Sequence, residues 1–286
     1  MQAGHAVLDS IRASFNTSAL ALTGLSPHAN YAMFGYSGGS LASEFAAELA
    51  PTYAPDLTRF VGSAIGGLTP NVTNVLLTIN KTPAVGLAFA GVHGLSKAYA
   101  NLSTYIDSQL VPSKKAEFYT LATECNSQYI AAASFQDFFS YFTNGTNIMN
   151  SEVWQTVTSG AGQQGVHGIP NQPLFVYKAV GDEVSPVADT DELVSRYCSD
   201  GVSVQYQKNL FGGHITEAVL GSPAAFEWLR DRFEGKKIAQ VDNLQSCQVQ
   251  DVLIVSTDDT GAEGIFGQGL ASELEVELKA SNGTAV

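Results

Sequence analysis

Positive charge is scarce in this chain. Lysine and arginine number 14 against 27 aspartates and glutamates, for a formal net charge of −13. An acidic surface repels phosphate backbones, and no basic cluster offsets it, so nucleic acid is not an expected partner. Long apolar runs are missing as well. The best candidate, Val85 to Val92, is interrupted by two glycines and falls far short of the ~20 residues that a transmembrane helix needs. Cysteine is limited to Cys125, Cys198 and Cys247, whose spacings match no metal-ligand pattern. Neither a metal nor a cofactor is expected.

Core-forming residues are plentiful. Hydrophobic side chains make up 45% of the 286 residues and charged ones only 14%, which is far from a disordered composition. A chain of this length buries one large core or two modest ones, so a main domain with an insertion is expected. Six Asn-x-Ser/Thr sequons occur, at Asn16, Asn71, Asn80, Asn101, Asn144 and Asn282. So many candidate glycosylation sites in a lysine-poor chain point to secretion. In an oxidising compartment a disulfide is expected, and the odd cysteine needs a partner. Yet Met1 to Leu8 carries no basic residue and no long apolar core, unlike a signal peptide. A portion N-terminal to this sequence is therefore expected.

The pattern along the chain is that of alternating strands and helices, broken once. Val7, Leu8, Ile11 and Phe15 recur at helical spacing within Ala6–Phe15. Tyr31–Tyr36 reads as a buried strand, and Leu41, Phe45 and Leu49 mark a helix stopped by Pro51. Phe60–Ile65 reads as a second strand. From residue 69 to 169 alanine, asparagine and aromatics dominate, with helical patches such as Phe118, Leu121 and Ala122, or Ile130, Phe135 and Phe138. This segment reads as an all-helical insertion. Alternation then resumes with strand Leu174–Val180, helix Asp189–Cys198 and strand Val202–Tyr206. A last helix opens with Ser222 at the N-cap and Pro223 at N1, carries Phe226, Leu229 and Phe233 on one face, and closes at Gly235. In the tail, Val252–Val255 and the alternating Glu273–Leu278 read as strands. The expected divisions are thus 1–68, first part of the core; 69–169, a helical cap or lid; 170–235, second part of the core; and 236–286, a C-terminal extension or flap.

Chemistry enters at Gly35-Tyr36-Ser37-Gly38-Gly39, which fits G-x-S-x-G. A serine hydroxyl becomes a nucleophile only when a base takes its proton and a sharp turn projects it. Glycines two residues to either side keep such a turn free of clashes. The backbone N–H of Gly38, at the helix start, suits an oxyanion. In the α/β-hydrolase fold the acid and histidine follow later strands, in that order. Asp182 follows the Leu174–Val180 strand, and His214 in Gly212-Gly213-His214 precedes the closing helix. Ser37 is thus the expected nucleophile, His214 the general base and then acid, and Asp182 the residue that orients it. Glu183 stands open as a substitute for Asp182. Asp189, Asp191 and Glu192 are expected to serve the N-terminal dipole of their helix. His5, His28, His93 and His167 fall outside the order and read as surface or core histidines.

With these motifs in view, the sequence resembles the secretory lipase family of fungi, the lipase A type. Gly35–Gly39, the long helical insertion, Asp182-Glu183-Val184-Ser185-Pro186 and Gly213-His214 carry the resemblance, from about residue 3 to about 235. It implies an α/β-hydrolase fold, partial because the early N-terminal strands lie outside this sequence, with a helical cap over an acyl cleft and a C-terminal flap. It also implies a serine hydrolase that acts as a triacylglycerol lipase or carboxylesterase, outside the cell, on a lipid or other ester met at a lipid–water interface. The second oxyanion donor belongs to the portion not in this sequence. Cys198 with Cys247 is the candidate disulfide within the chain, and spacing does not fix the connectivity. A fragment impaired in catalysis, or a peptidase or acyltransferase of the same fold, stands as the alternative.

Overall fold

The computed structural model describes residues 1–121, 125–236 and 247–255. By compactness the chain divides into two units, 1–70 with the residues from 164 on, and 71–163.

The first unit opens with helices α1 (Gln2–Ser14) and α2 (Thr17–Thr23), the latter capped by the Asn16 side chain. Strand β1 (Tyr31–Tyr36) leads into α3 (Gly38–Tyr53) and then β2 (Phe60–Gly66). Pro51 does not stop α3, which runs two residues further, to Tyr53. The 71–163 unit consists of α4 (Val72–Ile79), α5 (Gly86–Ala98), α6 (Ala100–Gln109), α7 (Lys115–Leu121), α8 (Asn126–Ala133) and α9 (Glu152–Gly162). Its ends meet in an antiparallel bridge between Asn71 and Gln163. Its interior is aromatic: Phe89 stacks edge-on against Phe138 and Tyr141, each at 5.0 Å, and Phe118 lies 5.7 Å from Phe142. Phe135 departs from the expected helical face. The chain leaves α8 at Ala133, and Phe135 takes φ +62 and is two-thirds exposed.

The first unit then resumes with β3 (Leu174–Ala179), α10 (Val187–Ser199), β4 (Val204–Asn209), α11 (His214–Leu220), α12 (Ser222–Phe233) and β5 (Cys247–Val252). The five strands form one parallel sheet in the order β1-β2-β3-β4-β5. Its central strand shows why both faces are buried. Leu174 and Val176 join a core with Leu8, Ala46, Leu193, Val194 and Tyr206, whereas Phe175 and Tyr177 point the other way, to Ala225, Trp228 and Leu229. Parallel strands covered on both sides read as continuous apolar runs for this reason. On the first face α1 lies close on α3, where a Cβ on Gly4 would meet the Phe45 backbone at 2.7 Å.

Strands β4 and β5 and helix α12 depart from the sequence reading. Strand β4 starts two residues later and ends at Asn209, because its ladder with β3 continues from Val204↔Leu174 to Asn209↔Ala179. Strand β5 is Cys247–Val252 rather than 252–255. It is a polar strand whose position comes from pairing with β4, and it has no apolar pattern of its own. In α12 the buried face is Ala225, Trp228, Leu229 and Arg232, while Phe226 and Phe233 are about half exposed. The expected strand Glu273–Leu278 lies outside the described residues, as does most of 236–286.

Candidate active site

Ser37 sits between the end of β1 and the first residue of α3, with φ 53 and ψ −115, a conformation that side chains other than glycine rarely take. Its N–H donates to the carbonyl of Gly66 at the end of β2, at 2.9 Å, which pins the turn to the sheet. Gly35 is required here, since a Cβ on it would run into the Gly39 carbonyl and the Ser40 N–H. Gly39, expected to be needed for the same reason, has open space where a Cβ would stand. The close approach is one-sided: the side chain that would collide projects from the strand. Gly38, the expected oxyanion donor, is the first residue of α3.

His214 is the first residue of α11, fully buried after Gly212, which takes φ +82. Its Nε2 lies 2.9 Å from Ser37 Oγ, and its Nδ1 lies 2.8 Å from Asp182 Oδ2. With Nδ1–H donated to a carboxylate, Nε2 is left to accept the serine's proton. Two contacts hold the backbone at His214: its N–H donates to Glu183 Oε2 at 2.8 Å, and the Tyr36 hydroxyl donates to its carbonyl. Glu183 is therefore a backbone clamp, not the partner of the ring.

Asp182 lies in the turn after β3. Its Oδ1 accepts the N–H groups of Val184 and Ser185, each at 2.9 Å. Oδ2 accepts from His214 and also from Lys178 Nζ at 2.7 Å. Burial by itself would raise the pKa of this carboxyl, but the His214 hydrogen bond and the Lys178 charge outweigh it and hold the pKa at about 2. Asp182 is an anion at any ordinary pH. Nearby, Glu217 on α11 is almost fully buried and accepts from Asn209 Nδ2 at 2.8 Å. Burial pushes its pKa up to about 7.

Lys178 and Glu217 escape sequence reasoning. A lone lysine in an apolar strand and a glutamate in a short helix both read as solvated. The faint signal is Lys178 within Leu174–Ala179, a segment otherwise without charge.

The remaining candidates scatter. The His5 ring meets Tyr53 edge-on, and His28 faces Arg59. His93 is buried against Phe118 in the 71–163 unit, where burial lowers its pKa to about 4. His167 donates its backbone N–H to Glu48. Asp189 does stand in the first turn of α10. Asp191 and Glu192 instead pair with side chains, Asp191 with Lys208 at 2.9 Å and with the Tyr206 hydroxyl, Glu192 with Arg196 at 3.5 Å. Helix α10 starts at Val187, two residues before the expected start, so both fall beyond its first turn. Cys198 and Cys247 form a disulfide between α10 and β5, and Cys125 is exposed and in no disulfide.

Among the sequon asparagines, Asn16 and Asn101 are exposed. Asn71 caps α4, Asn80 donates to Asp137 at 3.1 Å, and Asn144 is half-buried. Asn282 lies outside the described residues. Among the described residues no group of acidic, histidine or cysteine side chains could hold a metal ion, and no helix is long and apolar enough to cross a membrane.

A model of the secretory lipase family matches residues 1–241. Lipase A of Arthroderma benhamiae is 40% identical over 237 residues, 82% of this chain and 49% of that protein. The trichothecene C-3 esterase of Fusarium sporotrichioides is 37% identical over 260 residues, 87% of this chain and 56% of that one. The chain thus spans about half the length of the curated relatives it matches. Among solved structures, the closed state of Candida antarctica lipase A is similar in fold, with a TM-score of 0.80 at 24% identity, covering 95% of this chain and 62% of that one.

Proposed function

The chain belongs to the secretory lipase family, and from that premise we propose that it is a carboxylic ester hydrolase, a triacylglycerol lipase secreted from the cell and acting through Ser37, His214 and Asp182. The observation that carries this reading is the unbroken relay from Ser37 Oγ to His214 Nε2 at 2.9 Å and from His214 Nδ1 to Asp182 at 2.8 Å. In the proposed reaction His214 takes the hydroxyl proton as Ser37 Oγ attacks the ester carbonyl carbon. The tetrahedral oxyanion is met by the Gly38 N–H. Collapse expels the alcohol, which receives the proton from His214 and leaves an acyl-serine. Water, deprotonated by the same ring, then releases the acid and restores the serine. Asp182 stays ionised throughout and stabilises the transient imidazolium. No cofactor enters this sequence of steps. Segment 69–169 as a cap and 236–286 as a flap belong to the same proposal, as does glycosylation at Asn16, Asn71, Asn80, Asn101, Asn144 or Asn282.

Hydrolysis of a p-nitrophenyl ester by the chain and by its Ser37→Ala variant tests the reading. A loss of roughly 10⁴-fold or more is expected; equal rates would remove Ser37 from the mechanism. A second reading, a carboxylesterase for trichothecene esters, is favoured by the similarity to a trichothecene C-3 esterase. A rate on a trichothecene C-3 ester far above that on emulsified triacylglycerol would select it.

A further inference from the structure

A lysine is buried where an apolar residue would pack at lower cost. Lys178 lies within β3, and its side chain and that of Asp182 are both 0% exposed. Among the described residues no other lysine is fully buried. Taking an ammonium out of water is costly unless the site offsets it. Here the offset is specific: Nζ lies 2.7 Å from Asp182 Oδ2 and 2.9 Å from the carbonyl of Leu68. The oxygen it contacts is the same one that receives His214 Nδ1. The cation, the carboxylate and the imidazole are therefore one electrostatic unit.

We propose that Lys178 is a positioning residue of the triad, whose ammonium shares Asp182 Oδ2 with His214, offsets the carboxylate's pull on the imidazole and so keeps His214 free to act as a base in more acidic medium. The physical reason is charge balance. A carboxylate beside an imidazole favours the protonated ring. A cation on the same oxygen weakens that pull while holding the carboxylate ionised and in place. The other groups facing this unit are anionic or neutral: Glu183 in the same turn, Asp189 on α10, Glu217 on α11 and Tyr36 on β1. None of them supplies the positive charge, so its effect falls to Lys178.

The inference rests on the reading of Ser37, His214 and Asp182 as a hydrolytic triad, and its test separates the two. The ring-proton resonances of His214 are followed against pH in wild type, Lys178→Gln and Lys178→Met. The protonation midpoint of the Asp182–His214 pair is expected to rise by about one pH unit or more in both variants. Identical midpoints would overturn the proposal, whatever the melting temperatures do. This readout needs no turnover, so a chain that hydrolyses no ester would count against the proposed function alone. Where turnover is present, the acid limb of kcat/KM moves up by the same amount. A rate that falls equally at every pH would again overturn the role. Should the variants fail to fold, the wild-type protein carries the test: in ¹⁵N-lysine spectra the buried ammonium signal moves with the midpoint of the pair. A signal unmoved through that midpoint contradicts the coupling.

Discussion

Ser37 carries a strained backbone because the residues around it leave no other arrangement. Its φ of 53 is held by the bond from its N–H to the Gly66 carbonyl and by the hard contact behind Gly35. Adding one methyl at Gly35 forces backbone against backbone, so Gly35→Ala is expected to destabilise the protein by about 3 kcal/mol and to cut any Ser37-dependent hydrolysis more than stability alone explains. Thermal unfolding beside a rate measurement checks this. The same change at Gly39, where a Cβ meets nothing, is expected to cost little. The residues that the proposed chemistry touches were legible because each sits in a punctuated turn: Gly-x-Ser-x-Gly, Gly-Asp-Glu, Gly-Gly-His. Lys178 and Glu217 were not, since their roles come from what tertiary packing places opposite them. Glu183 was half legible. Its position beside Asp182 marked it, but only the structure separates the ring's partner from the clamp on the backbone.

At the scale of elements, the parallel strands with two buried faces were readable as apolar runs, and the helices by their period. The polar strand was not. Strand β5 reads Cys-Gln-Val-Gln-Asp-Val, with Val249, Gln250 and Asp251 exposed. Two things hold it: its ladder with β4 and the Cys198–Cys247 bond across a separation of 49 residues. Closing a loop of that length is worth about 2–4 kcal/mol. Reduction, or Cys247→Ser, is therefore expected to lower stability by that order. Amide protons of residues 247–252 should lose protection well before those of β3. Uniform loss of protection in the two strands would show that the disulfide does not anchor β5 locally.

The whole molecule carries acids where water cannot reach them. Glu44 and Glu48, one helical turn apart on α3, are both fully buried. Glu48 accepts the backbone N–H groups of Gly165 and His167, at 2.5 and 2.6 Å, and Glu44 takes the Tyr197 hydroxyl. Burial, then the neighbouring Glu48, push the Glu44 carboxyl well above the usual range. The returning chain at 165–167 and α10 cover the pair. Glu217 adds a third such acid, with a pKa of about 7 against 4.5 in the unfolded chain. The sign follows from proton binding. Between those values the folded state holds a proton that the unfolded state has lost, so stability falls as pH rises through the window and levels off above it. For Glu217 the loss approaches about 3 kcal/mol. Glu217→Gln, which keeps an acceptor for Asn209, is expected to restore about 2–3 kcal/mol at pH 8 and little at pH 5. Denaturant unfolding at the two pH values checks it, and equal differences at both would contradict the assignment. Asp182 acts in the opposite sense: its stabilisation is present above about pH 4 and is lost as pH falls toward 2.

Covalent labelling decides whether Ser37 is a nucleophile activated by His214. The chain is treated with an alkyl p-nitrophenyl phosphonate, and the adduct is mapped by peptide mass spectrometry, alongside Ser37→Ala and His214→Ala. One adduct is expected, on Ser37, slowed by orders of magnitude without His214 and absent without Ser37. An adduct on another residue, or labelling of Ser37 at the same rate without His214, would contradict it.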